Sequence, residues 1–442
     1  MTHRIIHFFS TLGPGLLYAG AAVGVSHLVM STKAGAMYQF LFLLLIPLIH
    51  VIKYPFFKYG PQYTALTGQN ILHGYQALGN WALRTYVVLT LLSMCLIQAA
   101  VTLVTSAIAI HFFDLQIPAE YLPHVPAIAI LIIAAVILFI GQYSALDKTM
   151  KAIILVLALT TIMALLMVLF RQPADPVVRA EPAFSLYEYA DIIFLVAFLG
   201  WMPAPMDISV WHSVWAEEDA RSKGQRPSLQ RVMRDFRVGY FGTAILAMIF
   251  LSLGAMIMFG NGETPSQSGA VFAAQLMNMY TNSLGEWAYP IIGIAALATM
   301  FSTTLTCLDA YPRTLAACYL IWRRNNGHQP VAAKRAMASS SVVDGGTRHV
   351  YRVMLAICVI GTVTIFFVVS NTVGAMGLVV TVATVVSFLS APVLAAINHR
   401  VMQGETIAVA DRPDALMTLW SQVGIATMAL FSLAYLWLML AG

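Results

Sequence analysis

The chain reads as long charge-free apolar runs separated by short charged clusters. A helix needs roughly 20 apolar residues to cross the hydrocarbon core. Eight runs qualify alone: 5–32, 34–52, 85–113, 121–146, 152–170, 238–262, 287–308 and 415–442. The run 353–399 has a polar Ser370-Asn371-Thr372 in its middle and counts as two spans. The stretch 192–216 is apolar apart from Asp207 and adds one more, which predicts eleven transmembrane helices. Two further charge-free runs, 59–83 and 264–285, are rich in Gly, Gln, Asn, Ser and Thr and read as loops.

Composition closes off other classes. Of 442 residues 60% are apolar and 10% charged, against about 25% charged in an ordinary soluble chain. The mean hydropathy of +0.79 agrees with a polytopic membrane protein. The basic balance, a net charge of +5, fits cytoplasmic loop anchoring better than nucleic-acid binding. With the N-terminus inside, the inner loops and Arg4 hold 20 of the 24 basic residues, Lys53 being set aside at the inner end of span two. The outer loops hold Lys33, Arg171 and Arg179. This places the protein in the inner (plasma) membrane with a cytoplasmic N-terminus and an outer C-terminus. The first run is too long for a signal-peptide core and lacks a clear cleavage site. Cys95, Cys307, Cys318 and Cys358 lie in or against predicted helices without metal-ligand spacing and read as packing residues.

Two spans carry helix breakers. Span one holds Gly20-Ala-Ala-Val-Gly24-Val-Ser26-His27, and span six holds Gly200-Trp-Met-Pro203-Ala-Pro205-Met-Asp207. Each proline lacks an N–H and its ring clashes with the preceding turn, so a regular helix cannot pass through 203–205. Small residues in span one fit close helix packing as well as a break. Asp207 stands beside the second break, where a carboxylate is costly unless paired or wet. Breaks in spans one and six match a five-plus-five inverted repeat with a binding site near the midplane. On this reading residues 1–400 form one transporter domain, spans 1–5 and 6–10 its repeats, and 415–442 is an additional span 11. His27 is open between ligand, proton carrier and packing residue. Asp309 reads as an ion-pair partner of Arg313, and Trp201, Trp211 and Trp215 as packing or interface aromatics. Glu217-Glu218-Asp219 and the basic residues after it read as a solvated loop.

Leu12-Gly-Pro14-Gly-Leu-Leu, Ala34-Gly-Ala, Thr67-Gly, His212-Ser213 and Ser302-Thr303-Thr304, in this order, resemble the Nramp divalent-metal transporters from about residue 12 to 395. The resemblance implies a LeuT-type fold and secondary active transport. In that family a metal is held by Asp and Asn of a DPGN motif in span one and Met of an MPH motif in span six, with a polar residue of span ten. Here Gly24-Val-Ser26-His27 stands at the first motif, so Gly24 replaces Asp and His27 replaces Asn. In span six either Pro205-Met206-Asp207 or Met202-Pro203-Ala204 aligns with MPH, and the histidine is missing both ways. Thr384 takes the span-ten position, and Gln98 that of a Glu on the family's proton route.

Losing the span-one carboxylate removes most of the charge that would balance a dication in low dielectric. The sequence therefore predicts an Nramp-related secondary transporter with a remodelled site, moving a small polar or organic solute. The candidate lining is Ala22, Gly24, Ser26, His27, Met202, Pro203, Pro205, Met206, Asp207 and Thr384. Gln98 and His212 are candidates for coupling or gating. No metal site is expected, Asp207 and His27 being weak candidates. The alternative is a divalent-cation transporter for Mg²⁺ or Mn²⁺, with proton coupling. A third class is a membrane receptor that binds without turnover. No nucleotide-binding loop, catalytic triad or HExxH is present, so neither a pump nor an enzyme is expected. No cofactor or nucleic-acid partner is expected. The partners are the solute and the bilayer, and the oligomeric state is left open.

Overall fold

The computed structural model describes residues 14–118, 121, 124–140, 143–170, 184–259, 263–266, 268–326, 345–370, 372 and 374–441. Leu12 and Gly13 of the opening motif, Arg171, Arg179 and Asn371 lie outside these residues, as does 327–344 of the expected inner loop. The described residues are helical with turns and contain no strand.

Span one is α1 (Pro14–Ala22), a bend at Val23–Gly24, a π-helix over Val25–Ser31, and α2 (Thr32–Tyr38). Span two is α3 (Leu45–Thr67), followed by the short α4 (Ile71–Leu78). Then come α5 (Asn80–Phe112), α6 (His124–Ile140) and α7 (Tyr143–Phe170). Span six is split into α8 (Tyr189–Trp201) and α9 (Ile208–Ser222). Next is α10 (Leu229–Leu253), which runs into a second π-helix, Gly254–Met258. α11 (Gly269–Leu284), α12 (Tyr289–Asn326), α13 (Gly345–Val369), α14 (Ala375–Gln403) and α15 (Ala415–Ala441) complete the chain. The protein is an all-α, multi-pass membrane protein.

Among the described residues six helices are long and apolar enough to span a bilayer by themselves, and three shorter apolar ones accompany them. Spans one and two fall outside these because a break divides the first, and Lys53, Lys58, His50, Gln62 and three prolines lower the hydropathy of the second. Helices also continue past their apolar runs: α10 begins among Arg231, Arg234, Asp235 and Arg237, and α12 runs on through Arg313 to Asn326.

The loop readings fail at two places. Residues 59–67 end α3, and α4 follows, with the Asn70 side chain accepting from Leu72 N as N-cap. Residues 269–284 form α11, which packs on α5, α7 and α12. Some of their polar groups are spent on other helices, as Thr64 is on Ser213 and Tyr280 on Thr161, so low hydropathy alone did not mark a loop. Likewise Lys33 is not in a loop between spans one and two but inside α2. It is 7% exposed, donating to Ser266 O and lying 4.7 Å from the Phe272 ring centroid.

Small residues bring span one close to α10. A side chain at Gly35 would strike the Leu251 carbonyl, and one at Gly254 the Thr32 carbonyl. Gly15 lies against Asp235, which accepts its N–H at 2.8 Å. The two halves of span six are clasped the same way: Gly60 of α3 meets Ser209 O of α9, and Gly200 of α8 meets Thr384 O of α14. α15 packs on α3 and α14 and turns Leu430, Leu433 and Trp437 outward, each at least 65% exposed, as a lipid-facing surface.

Candidate functional site

The two breaks meet. After Ala22 the chain bends at Val23–Gly24 and winds again at once as a wide π-helix, so 25–27 are not unwound as the sequence suggested. In span six the regular helix stops at Trp201 and restarts at Ile208, the limits set by Pro203 and Pro205. The Ser26 hydroxyl lies 3.5 Å from Pro203 O, which joins the two interruptions directly. Ala22, Gly24, Ser26, His27, Met202, Pro203, Met206 and Asp207 are all buried, and Pro205 is half-buried.

On the span-one side His27 is fully enclosed. Its Nε2 lies 3.1 Å from Thr243 O and its Nδ1 2.7 Å from the Ser26 hydroxyl. A carbonyl can only accept, so Nε2 carries a hydrogen; the single Ser26 hydroxyl hydrogen can then serve either His27 Nδ1 or the Ala22 carbonyl, not both at once. The Thr243 contact fixes the ring toward α10. The same serine is 2.8 Å from Ala22 O, a carbonyl released by the bend. Gly24 faces α12: a Cβ there would sit 2.8 Å from Cγ2 and 2.9 Å from Oγ1 of Thr303. Any side chain at position 24 would thus meet Thr303, whose hydroxyl is held by Thr299 O at 3.0 Å.

On the span-six side Asp207 is 3% exposed and lies among Tyr75, Tyr86, Tyr311 and Cys307, with no hydrogen bond to the Tyr311 hydroxyl. Its side chain makes no capping bond to α9. His27 and Asp207 do not pair: the histidine turns to Thr243, and the aspartate lies among Tyr75, Tyr86 and Tyr311. The hydroxyls of Tyr86 and Tyr311 and the indole N–H of Trp211 are buried without a protein partner, which makes this flank polar and hydratable.

The remaining candidates surround the breaks. Thr384 bonds back to Val380 O and Thr381 O and presents its own carbonyl to Gly200. Gln98 donates to Thr102 and Thr304 O, leaving its Oε1 unpartnered. His212 stacks on Tyr18 at 5.7 Å and lines a cavity of about 200 Å³ with Pro14, Ala216, Lys223 and Arg226. The expected Asp309–Arg313 pair is present and bidentate, with Tyr351 donating to the same carboxylate at 3.0 Å. Trp201 donates to Ser387, and Trp211 packs edge-on against Tyr311 at 4.8 Å, so both are interior aromatics. The Glu217–Asp219 segment is helical, with Arg221 and Lys223 paired to it. All four cysteines are free thiols.

The sequence missed three residues. Lys53 is 4% exposed and donates to Leu199 O at 2.7 Å, Met202 O at 2.8 Å and Gly200 O at 3.4 Å. The only signal was a lysine interrupting an otherwise membrane-like run. His50, one turn earlier, bonds Ile46 O and keeps a buried Nε2 without partner. Asn398 of α14 accepts from Tyr75 at 2.6 Å and donates to Ser209 at 2.9 Å, tying α4, α9 and α14 together. Ser213 explains part of the family resemblance: it meets the Thr64 hydroxyl at 2.7 Å and accepts from Ile71 N, locking α9 to α3 and α4.

Among the described residues no three His, Cys, Asp or Glu side chains converge as an ion site would require. The paired breaks and the helix order define a LeuT-type membrane fold. A variant of the Eremococcus coleocola manganese transporter superposes with a TM-score of 0.71 at 12% identity, over 96% of this chain and 85% of that one. MhsT in complex with L-phenylalanine gives 0.62 at 14%, over 95% and 98%. Mhp1, a nucleobase-cation-symport-1 family transporter, gives 0.56 at 13%, over 96% and 89%. At these identities the likeness is one of fold. No family model matches the chain. The chain belongs to the same family as an uncharacterized protein of Pasteurella multocida (strain Pm70), 34% identical over 432 residues, 97% of this chain and 92% of that protein.

Proposed function

We propose that the chain is an Nramp-related secondary transporter whose solute path runs between the two breaks and whose cargo is a small polar or organic solute. The carrying observation is Gly24 against Thr303: the span-one side offers no carboxylate and no room for one. One buried carboxylate, Asp207, among buried tyrosines, is a poor balance for a bare dication but a good anchor for a polar group. The fold neighbours include a manganese transporter, a protein holding L-phenylalanine and a transporter with bromovinylhydantoin bound, and the last two support organic cargo on this framework. On this reading Ala22, Ser26 and His27 line one wall and Met202, Pro203, Pro205, Met206 and Asp207 the other. Thr384 backs the wall, and Gln98 and His212 act at its flanks. Residues 1–400 are the transporting unit, with 415–442 an appended span. The N-terminus faces the cytoplasm and the C-terminus the outside, in the inner membrane.

Broken helix ends supply backbone donors and acceptors where a continuous helix has none, which is how such a path can hold a polar solute in an apolar membrane. The test is a thermal-shift screen of purified protein against metals and metabolites, because a ligand of the folded state raises its stability. A hit is then followed by counterflow in proteoliposomes. A polar solute that stabilises and exchanges is the expected result. Calorimetry giving a micromolar Mn²⁺ or Cd²⁺ site at the breaks would refute the solute reading, and a ligand that binds without exchange would refute transport.

A further inference from the structure

The carbonyls that the span-six break sets free are already occupied by the chain's own cation. Leu199, Gly200 and Met202 end α8, where the helix dipole concentrates negative charge and the last carbonyls lack intrahelical donors. In a broken membrane helix this is where a cation gathers. Here the Lys53 ammonium, reaching across from α3, donates to all three at 2.7, 3.4 and 2.8 Å in chain order. An ammonium has three donors, so the group is fully used. Lys53 is 4% exposed, and no ion pair to it exists among the described residues. The titratable side chain nearest in sequence and electrostatically coupled to it is His50, itself coupled to His27; neither is acidic. A cation this deep without a carboxylate is held by the break itself.

We propose that Lys53 is a tethered cation that replaces a mobile monovalent ion at the end of α8, so that this site of the fold needs no Na⁺. The role follows from charge and reach: a point charge on a flexible stem fits a ring of carbonyls as a bound alkali ion does. It goes beyond the solute reading and rests on the break geometry alone, so failure of either leaves the other standing.

The experiment uses full-length protein in detergent and reads melting temperature in NaCl, LiCl, KCl and choline chloride at equal ionic strength. Wild type is expected to melt at one temperature in all four. Lys53→Ala, which vacates the carbonyls, should melt roughly 2 °C or more lower in choline. Na⁺, Li⁺ or added methylammonium should recover at least half of that loss. Lys53→Met fills the space without charge; it should melt low in every salt, and it carries the test if the alanine variant does not fold. Lys53→Arg, which keeps the charge, should keep the flat salt response. Three results overturn the proposal: wild type stabilised by Na⁺ over choline, Lys53→Met as stable as wild type, or a folded Lys53→Ala whose loss no small cation reverses.

Discussion

Gly24→Ala isolates the contact that distinguishes this site from a metal site. The new Cβ would stand 2.8 Å from Thr303 Cγ2, 2.9 Å from Oγ1 and 3.3 Å from Cβ. Optimal carbon–carbon contact is about 3.5–4.0 Å, so the overlap with the methyl is roughly 0.7 Å or more. Thr303 cannot swing away freely, because it is 3% exposed and its hydroxyl is held by Thr299 O at 3.0 Å and Gly20 O at 3.4 Å. Overpacking of this kind costs about 1–3 kcal/mol. Thr303→Ala alone should cost about 1 kcal/mol for its hydroxyl. Combined, the two should be less harmful than their sum, because only the 3.3 Å neighbour remains. The coupling energy should be on the order of 1 kcal/mol or more. Melting temperatures of the four proteins in one detergent read it directly, at roughly 2 °C per kcal/mol or less for a chain of this length. Strict additivity would refute the view that Thr303 meets any side chain at position 24. So would a micromolar Mn²⁺ site created by Gly24→Asp with Thr303 intact.

Asp207→Asn should leave a folded, monodisperse protein, since the carboxylate makes no cap bond to α9; counterflow of the stabilising solute should be lost or lose its pH dependence, and an unchanged pH profile would remove Asp207 from the mechanism. Arg313→Met leaves the Asp309 carboxylate, 1% exposed, with Tyr351 and no cation, and should destabilise by about 2–4 kcal/mol given that the arginine is 32% exposed; adding Asp309→Asn should recover most of it, as read by the melting midpoint.

The sequence by itself determined the class and the position of the second helix break. Apolar runs of membrane length fix a multi-pass protein, because backbone in lipid must satisfy itself. Pro203 and Pro205 fix the second break, because a ring without an N–H stops a helix wherever it stands. The absence of a carboxylate at Gly24 was equally legible. Tertiary structure decided which residues the breaks serve. Lys53 looked like the end of a span because hydropathy treats a charge as a boundary; its acceptors lie 146 residues away in sequence. The runs 59–83 and 264–285 looked like loops because they are rich in Gly, Gln, Asn, Ser and Thr, whereas most of their residues lie in α3, α4 and α11, with Thr64 bonded to Ser213 and Tyr280 to Thr161. Whether His27 faces Asp207 depended on the rotation of two half-helices about their axes. Gly24's bend and the π-helix turn the histidine to Thr243, and the restart at Ile208 leaves the aspartate among the buried Tyr75, Tyr86 and Tyr311. Rotation about a helix axis is set by packing against neighbours, such as Gly60 on Ser209 and Gly200 on Thr384, and a linear pattern carries no record of those contacts.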